Sequence, residues 1–491
     1  MKALDSPFPQ AGRGPGRGVR PASVLQDLPP VWPSSLLDSI RGRRNEANRC
    51  LIVLDDDPMS GQALYDVPVL TTWNVNALAA EMSHSNVIVL LTDTRSLDSV
   101  NALARMREVG TILREASVMS GRDTDVALRG DSTLRGHFPD DMEALVGSWL
   151  SRGSTKPVSV FVPYFGEAGR ITMDDTQYAV EGGMLLPVGE TELARDPMFG
   201  YVESHLPSWI KEKTKGSVRA NQIVSVSSDD LRIGGPAAVA AKLRSVVHGR
   251  YVVVNASDDR DLEVLADAIA VAAAEGRRFV TQSAAPFVRV LAGMPPRDLL
   301  SGDEVIGEGP TIAGGLTVVG SYIERTNEQL AHVLSSGDVV GIKVAIDDAL
   351  YDTKETVRHR SRELEEAIGA GKDAVLYLAR SKRPPSRQAL EDGNRLSDVL
   401  GEIMHALSSR PRYVMVKGGN TASRIATKGL GVRRATVLGQ LLTGVPVWRL
   451  WSETRWPELP FVIFAGNVGE RETLLEAIEK LRATASPGRR H

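Results

Sequence analysis

Residues 50–61 read CLIVLDDDPMSG, in which a short apolar run leads directly into three consecutive aspartates. A continuous apolar run of this length, bounded by a turn signal, is typical of a strand that is buried on both faces of a parallel sheet. In open α/β sheets, ligands bind beyond the carboxyl ends of the strands. The stretch therefore predicts a parallel α/β fold, and it places Asp55, Asp56 and Asp57 where a ligand would bind.

The same pattern recurs along the chain as Val- and Ile-rich runs that alternate with helical periodicities. This alternation predicts parallel strands covered by helices on both faces. The predicted strands are 51–54, 86–91, 159–164 and 251–256, followed by 316–321, 339–344, 373–379, 413–419 and 461–467. Between the two series, residues 292–315 are rich in Pro and Gly and show no clear period, which indicates a linker.

The chain has 491 residues, which is too long for one ordinary core. The predicted fold class is therefore α/β, with two α/β domains of mostly parallel sheets and a ligand cleft between them. The predicted segments are a disordered lead at 1–24, an N-terminal domain at 25–295, a linker at 296–315 and a C-terminal domain at 316–485.

The composition argues against several classes of protein. A net charge of -3 gives no basic excess for nucleic acid, and no apolar run reaches the ~18 residues of a membrane span. Cys50, the single cysteine, opens an apolar strand, so we interpret it as a buried small hydrophobe rather than a nucleophile. The histidines lack metal-ligand spacing, and no protein metal site is predicted. With no disulfide to form within the chain, a reducing, cytoplasmic location is expected.

Polar residues follow two of the predicted strands. Carboxylates accept hydrogen bonds, so Asp55, Asp56 and Asp57 suit the hydroxyl donors of a polyol, although a solvated capping turn is the alternative. Arg95, in LTDTRSLD (91–98), has a planar fork that fits a carboxylate or phosphate. The alternative for Arg95 is an ion pair with a nearby aspartate.

A third group of polar residues lies in ALRGDSTLRGHFPDDM (127–142). Arg129 and Arg135 could clamp an anion there, because small residues between them let backbone N–H groups approach it. The residues between them are Gly130, Asp131, Ser132 and Thr133, with Asp131 as a potential proton acceptor. The alternative is a capping turn with solvated arginines. Residues 162–180 and 187–201 are read as long polar loops, which are usually functional or poorly ordered.

Three predicted strand-to-helix turns after residue 316 contain glycine. They are Gly320-Ser321, Gly418-Gly419-Asn420-Thr421 and Gly466-Asn467-Val468-Gly469. Each alone is most often a tight turn, and none is a Walker A loop or a full GxGxxG fingerprint. Together they predict a phosphate cradle, and hence a nucleotide, because backbone amides favour a polyanion.

In combination, these motifs resemble the four-carbon acid sugar kinase family over residues 25 to 485. The segments that carry the resemblance are VLDDDP, RGDSTLRGH, EAGR, ETELARDPMFGY, KGGNTASRI, VLGQLLTGVPVWRL and AGNVGE. The resemblance implies ATP-dependent phosphorylation of a small sugar acid such as threonate, erythronate or a 3-oxo acid sugar. It also implies that the N-terminal domain holds the acid sugar and that the C-terminal domain holds the nucleotide.

The resemblance also implies which residues line each site. The substrate residues would be Asp55, Asp56, Arg95, Arg129, Gly130, Asp131, Ser132 and Thr133. The nucleotide residues would be Ser321, Gly418, Gly419, Asn420, Thr421, Gly466 and Asn467. Similar members usually read Asp-Asp-Asp-Pro-Thr-Gly-Thr-Gln where this chain has Asp-Asp-Asp-Pro-Met-Ser-Gly-Gln, so Met59, Ser60 and Gly61 predict a different substrate preference.

The resulting hypothesis is a kinase in which Arg95 and Arg129 hold the substrate carboxylate and Asp55 or Asp56 accepts its hydroxyls. Asp131 is the first candidate to orient or deprotonate the attacking hydroxyl, and Asp56 is the second. ATP would bind with Mg²⁺, and the expected partners are the sugar acid and ATP, without nucleic acid or membrane; a homodimer is left open. The alternatives are an aspartyl-type phosphatase with Asp55 as nucleophile, and a non-catalytic nucleotide or metabolite sensor.

Overall fold

The structure is a computed structural model that describes residues 18–57, 63–151, 153–307, 313–321, 323–379 and 387–482. Met59, Ser60 and Gly61, where the sequence departs from similar family members, lie outside the described residues. None of the described helices combines the length and the apolar character that a bilayer crossing needs.

Strands and helices alternate over most of the described chain, as the apolar runs predict. The strands are β1 (Arg20–Pro21), β2 (Arg49–Asp55), β3 (Val67–Leu70), β4 (Val87–Leu91), β5 (Asp123–Arg129), β6 (Val158–Val162), β7 (Arg170–Met173), β8 (Thr176–Glu181), β9 (Met184–Pro187), β10 (Val224–Val226), β11 (Tyr251–Val254), β12 (Phe279–Ser283), β13 (Leu316–Val319), β14 (Val340–Val344), β15 (Ala374–Leu378), β16 (Val414–Lys417), β17 (Arg434–Leu442), β18 (Val445–Leu450) and β19 (Pro460–Phe464).

The helices between them carry the apolar faces that cover the sheets. They are α1 (Leu37–Glu46), α2 (Val75–Met82), α3 (Ser99–Ser120), α4 (Asp140–Trp149), α5 (Leu206–Lys213), α6 (Gly235–Ser245), α7 (Asp259–Ala274), α8 (Ala285–Leu291), α9 (Gly302–Ile306), α10 (Glu324–Ser335), α11 (Ile346–Tyr351), α12 (Thr353–Gly369), α13 (Arg387–Ala406), α14 (Gly419–Arg424) and α15 (Thr473–Arg482).

The described chain divides into two compact units that interleave along the sequence. The first unit comprises 18–40, 130–140 and 155–287, and the second comprises the described parts of 41–129, 141–154 and 288–482. The domain boundaries predicted from the sequence do not follow this division, and they stay a prediction.

The first unit contains a parallel sheet in the order β10-β11-β6-β12 and an antiparallel sheet in the order β1-β9-β8-β7. Apolar rings fill its core, where Trp209 stacks on Phe138 and Phe161 with ring centroids 4.7 and 5.0 Å apart. The antiparallel strands β7, β8 and β9 correct the sequence analysis, which interpreted most of this region as polar loops. Their short polar turns at Asp174-Asp175 and Gly182-Gly183 join strands that are too short to stand out by periodicity.

The second unit contains a mixed sheet in the order β5-β2-β4-β3-β17-β18-β19-β16-β13-β15-β14. Its two flanks are parallel, and β3, β17, β18 and β19 pair antiparallel in the middle. The parallel α/β prediction is therefore confirmed for most of the sheet. The hairpin of β17 and β18 was not predicted, and it brings strands from before residue 130 and after residue 313 into one sheet.

Helices cover this sheet through buried apolar side chains. On the later strands, Val333 of α10 and Leu474 and Ile478 of α15 belong to one core cluster with Met415 and Phe464 of the sheet.

In the same unit Cys50 is fully buried, and burial raises the pKa of its thiol to about 12. A thiol with that pKa stays protonated at neutral pH, as expected for a small hydrophobe rather than a nucleophile.

Candidate functional site

The first carboxylate of the triplet, Asp55, ends β2 and forms a buried ion pair. In the parallel register of β2 and β5, Asp55 lies opposite Arg129. The Arg129 guanidinium donates to the Asp55 Oδ1 over 2.9 Å, and both residues are buried. Burial raises the pKa of Asp55 to about 6, although the positive charge of Arg129 opposes the shift. Part of the like-charge repulsion in the triplet is thus relieved by an arginine that sheet register supplies.

Asp56 and Asp57 share a second arginine, Arg95, which lies in a short 3-10 turn after β4. Its Nε and its terminal nitrogen donate to the two Asp56 oxygens over 3.2 and 2.6 Å, and the same terminal nitrogen is 3.2 Å from an Asp57 oxygen. Burial raises the pKa of Asp56, while Arg95 counteracts this effect. The alternative considered for Arg95, an ion pair with a nearby aspartate, is therefore what the structure contains, and this pair lies at the strand ends.

Main-chain hydrogen bonds fix the two arginine–aspartate pairs relative to each other. The Asp56 N–H donates to the Arg129 carbonyl over 3.2 Å, and the Arg95 N–H donates to the Asp56 carbonyl over 3.1 Å. The second unit thus brings together four of the residues predicted to bind substrate: Asp55, Asp56, Arg95 and Arg129. Together with Asp57 they form a group of three carboxylates and two guanidiniums, which we call the strand-end acidic group. It can accept hydroxyl hydrogen bonds and can offer positive charge to an acid.

The other predicted substrate residues, Gly130 to Thr133, lie in the first unit. The Asp131 carboxylate accepts from the Arg135 Nε over 2.8 Å and from its terminal nitrogen over 3.2 Å, and it also accepts from the Thr133 hydroxyl. Gly130 donates its N–H to the Ser283 carbonyl over 2.8 Å. Arg135, which the sequence analysis considered as an anion clamp, therefore holds Asp131.

The region predicted as polar loops supports this segment by binding its carbonyl groups. The Tyr201 hydroxyl donates to the Thr133 carbonyl over 2.6 Å, and the Gln177 amide donates to the Ser132 carbonyl over 2.9 Å. Burial raises the pKa of the Tyr201 hydroxyl well above its usual value, so it remains a donor. The segment is consequently well ordered around Asp131, and this support was not visible from sequence.

A second group of predicted residues converges at the carboxyl ends of β13, β16 and β19. A Cβ added to Gly466 would lie 2.6 Å from the Ser321 hydroxyl, and one added to Gly418 would lie 3.3 Å from the Ser321 Cβ. Gly418 also has a φ of 119°, which side chains rarely adopt. The Thr326 hydroxyl donates to the Ser321 hydroxyl over 3.1 Å and to the Gly466 carbonyl over 3.0 Å. We call Ser321, Gly418 and Gly466 with their adjoining turns the glycine-turn group.

The remaining predicted nucleotide residues follow Gly418 in α14. Thr421 is buried, and its hydroxyl lies 3.2 Å from that of Ser397. The Asn420 amide donates to the Asn394 side chain over 2.8 Å. Gly419 starts α14, and Asn467 lies in the turn after β19. The structure therefore brings the three glycine-containing turns together, as the cradle hypothesis requires.

Asp93 was missed by the sequence analysis, and it links the two groups within the second unit. It follows β4 with a left-handed φ of 50°, a conformation that Asp tolerates better than most residues. Its Oδ2 accepts from the Ser423 hydroxyl of α14 over 3.1 Å, and its buried Oδ1 has no partner among the described residues. Burial and then the charge of Asp57 raise the pKa of Asp93 to about 7. The only sequence signal was an Asp directly after a strand.

A cavity of about 670 Å³ lies elsewhere in the second unit, against β14 and α12. Its lining includes Lys343, Arg360 and Glu363, and it contains no residue of the two groups described above. Size alone therefore does not identify the site, and the convergence of polar strand ends is the stronger criterion.

Comparison with protein families finds two matches that follow each other along the chain. A sugar-binding N-terminal domain matches residues 51–291, and a nucleotide-binding C-terminal domain matches residues 316–474. The strand-end acidic group lies within the first match, and the glycine-turn group and Ser423 lie within the second.

Comparison with single proteins finds relatives of almost the same extent. A D-threonate kinase of Bordetella bronchiseptica is 26% identical over 405 residues, which cover 81% of this chain and 87% of the kinase. Among solved structures, a Haemophilus influenzae protein has a TM-score of 0.60 at 16% identity and covers 89% of this chain and 100% of its own. A Salmonella typhimurium protein has a TM-score of 0.61 at 16% identity, with 87% and 98% covered. At these identities the solved structures support the fold.

Proposed function

Since this chain belongs to the four-carbon acid sugar kinase family, we propose that it transfers the terminal phosphoryl group of ATP to a hydroxyl of a small sugar acid such as a tetronate. The observation that carries the proposal is the hydrogen bond between Asp93 and Ser423. Asp93 precedes Arg95 in the turn after β4, and Ser423 lies in α14, which follows Gly418, so the proposed acceptor and phosphate sites would lie near each other in one compact unit.

The strand-end acidic group supplies what a sugar acid needs. Arg95 and Arg129 offer positive charge for the substrate carboxylate, and Asp56, which is less buried than Asp55, offers an acceptor for its hydroxyls. Because both arginines already pair with aspartates, they hold those carboxylates in position before substrate arrives. Such fixed positioning is the main source of catalysis in phosphoryl transfer, where little covalent chemistry falls to the protein.

The Gly130–Thr133 segment of the first unit stays a proposed substrate-binding segment on the strength of the family resemblance. Asp131 remains the first candidate to orient the attacking hydroxyl, and Asp56 the second. Both carboxylates are held by an arginine fork, from Arg135 and Arg95 respectively, which fixes the direction of their acceptor lone pairs.

The glycine-turn group supplies the proposed nucleotide site. A Cβ on Gly466 or Gly418 would press against Ser321, so glycine at these positions lets the turns pack closely, and their backbone amides are proposed to bind the phosphate. The described residues contain no group of three His, Cys, Asp or Glu side chains that could hold a metal ion by themselves. In the proposed complex Mg²⁺ would arrive on the nucleotide, where it would neutralise phosphate charge.

The first test measures ADP release from ATP and Mg²⁺ with a panel of four-carbon sugar acids. We expect saturable turnover with at least one acid and none with threitol, which has the same carbon number and lacks the carboxylate that Arg95 and Arg129 would bind. A folded protein that binds ATP yet turns over no sugar acid would contradict the kinase and favour the sensor.

The phosphatase alternative finds little support in the geometry. Its nucleophile would be Asp55, whose side chain is only 2% exposed and pairs with Arg129. Treatment with beryllofluoride is therefore expected to leave Asp55 without an adduct.

Replacing Gly466 by Ala is expected to weaken ATP binding by about tenfold, which corresponds to ~1.4 kcal/mol. The new methyl group would press on the Ser321 hydroxyl and disturb its hydrogen bond with Thr326. Calorimetric titration with ATP measures the change. Gly147→Ala is the matched control, because nothing lies within 4 Å of a Cβ at that exposed helical position. Equal ATP affinity in the two variants would argue against phosphate binding at Gly466.

A further inference from the structure

Lys417 is a fully buried lysine at the end of β16, directly before Gly418. Its ammonium donates to the Ala465 carbonyl over 2.8 Å and to the Val468 carbonyl over 3.5 Å. The same nitrogen lies 3.9 Å from the centre of the Phe464 ring. Among the residues that the structure describes, no carboxylate is within ion-pair distance of it. A buried ammonium without an anionic partner is costly, so its retention needs an explanation.

The turn after β19 directs its carbonyl groups toward Lys417 and α10. The Gly466 carbonyl accepts from the Thr326 hydroxyl over 3.0 Å. The Gln329 amide donates to the Val468 carbonyl over 3.0 Å and to the Glu470 carbonyl over 2.7 Å. With the two contacts of Lys417, side-chain donors therefore bind the turn's carbonyls at positions 465, 466, 468 and 470.

These contacts determine which way the amide groups of the turn point. In a planar trans peptide the C=O and the next N–H point in opposite directions. Because the carbonyls of Ala465, Gly466 and Val468 point toward the buried donors, the N–H groups of Gly466, Asn467 and Gly469 point away from them. A turn that presents several N–H groups on one side is an anion-binding concavity.

We propose that Lys417 is the positioning residue of this turn: its ammonium holds the carbonyls from the buried side and provides the missing counter-charge for nucleotide phosphates bound at the amide side. The inference rests on the proposed function, because it assigns a nucleotide phosphate to the glycine-turn group. Lys417 acts through the turn and does not contact the phosphate, since its side chain is enclosed by β16, β19 and the turn itself. The nucleotide is thus the anionic partner that the buried lysine lacks.

The protonation of Lys417 gives the proposal a specific signature. Burial, followed by the nearby positive charge of Arg325, lowers the pKa of Lys417 to about 7. Arg325 lies on α10 and pairs with Glu470 at the end of the turn; α10 also carries Glu324, Glu328 and His332. A bound polyanion favours the ammonium form and raises this pKa. Above pH 7 nucleotide binding should therefore draw a proton onto Lys417, and ATP affinity should fall as pH rises through this range.

The test is calorimetric titration of the full-length protein with ATP at pH 8, in buffers that differ in ionisation enthalpy. We expect the wild type to take up more protons than Lys417→Met, by up to about one proton per nucleotide. The protonation of ATP itself is common to both proteins, so the difference reports Lys417. In the variant the KM for ATP should rise by about tenfold while kcat with a sugar acid stays within about threefold.

Gln329→Leu is the matched control, because it removes two donors from the same turn and keeps the lysine. Gln329→Leu should weaken ATP binding but keep the proton uptake of the wild type. If Lys417 only supported the turn, the two variants would not differ in proton uptake. Equal proton uptake in the wild type and Lys417→Met would overturn the inference. If Lys417→Met does not fold, the wild type alone is measured. Absence of proton uptake on ATP binding between pH 7 and 9 would then overturn the inference.

The same measurements separate this inference from the proposed activity. A protein that binds ATP with the expected proton uptake but phosphorylates no sugar acid would contradict the kinase and support the role of Lys417. A wild-type protein that binds no ATP would overturn both. Turnover of a sugar acid with a KM for ATP that Lys417→Met leaves unchanged would overturn the inference alone.

Discussion

Replacing Arg129 by Ala is expected to lower the free energy of unfolding by about 3 to 5 kcal/mol, because it leaves the Asp55 carboxylate buried without its partner. The two groups are 2.9 Å apart, and their side chains are 8% and 2% exposed. Chemical denaturation measures the loss, and hydrogen exchange at the amide groups of β2 and β5 locates it. Arg358→Ala is the control, since its ion pair with Glu355 is exposed and should contribute little.

The pH dependence of this loss identifies its cause. In the wild type burial raises the pKa of Asp55 to about 6, above its unfolded value of 3.8, so the folded state holds the proton more tightly. Asp55 therefore contributes a stability that is present at low pH and is lost as pH rises from about 4 to about 6. Without Arg129 this pKa rises further, so the deficit of the variant should be largest at neutral pH and shrink toward pH 4. A deficit that does not change with pH, or one below about 1 kcal/mol, would contradict a buried unpaired carboxylate.

The strand-end acidic group could be predicted in part because parallel strands follow a simple rule. Apolar runs identified β2 and β4, and the rule that ligands bind at carboxyl ends directed attention to Asp55, Asp56 and Arg95. The sequence could not show that Arg129 pairs with Asp55. That pairing depends on the register between β2 and β5, which is set by side-chain packing across strands that are 74 residues apart in this pair.

Residues that act from within the core were the ones that sequence analysis missed. Lys417 follows three apolar residues, and a lysine at a strand end normally indicates solvent. Its burial depends on the turn after β19, which supplies carbonyl acceptors. The first of these, Ala465, lies 48 residues after Lys417. Asp93 was overlooked for a similar reason, because its contact with Ser423 joins residues that are 330 positions apart in the chain. Local periodicity in the sequence does not reveal long-range contacts of this kind.

The second unit combines segments from before residue 130 and after residue 287 because β17 pairs with a distant strand. β17 alternates buried and half-buried residues and is followed by a turn at Thr443-Gly444, which is a recognisable strand pattern. What the pattern does not reveal is the partner of β17, which is β3 from the other end of the chain. An antiparallel pair at this point joins the strands that carry the strand-end acidic group to those that carry the glycine-turn group. The hairpin therefore connects the two parts of the sheet through its strands, and the Asp93–Ser423 hydrogen bond connects them at the strand ends.

Replacing Arg95 by Ala is expected to lower kcat/KM for the sugar acid by about a thousandfold, since truncating one partner of a close charge pair typically costs several kcal/mol. The pKa of Asp56, which burial raises and Arg95 opposes, should rise further, so a higher pH is needed to keep the hydroxyl acceptor ionised. The acidic limb of the rate profile should accordingly move to higher pH, while ATP affinity stays unchanged.

Two further variants separate the loss of geometry at Arg95 from the loss of charge. Arg95→Lys keeps a positive charge but cannot reproduce the two-nitrogen contact with Asp56, so it should recover only part of the activity. Arg362→Ala, at an exposed ion pair with Glu366, should leave the rate profile unchanged. If Arg95→Ala retained more than a tenth of the wild-type kcat/KM, Arg95 would be only a local structural partner of Asp56. The two-nitrogen contact of Arg95 is the one that orients Asp56. If Arg95→Lys recovered the full kcat/KM, positive charge alone would be sufficient for activity.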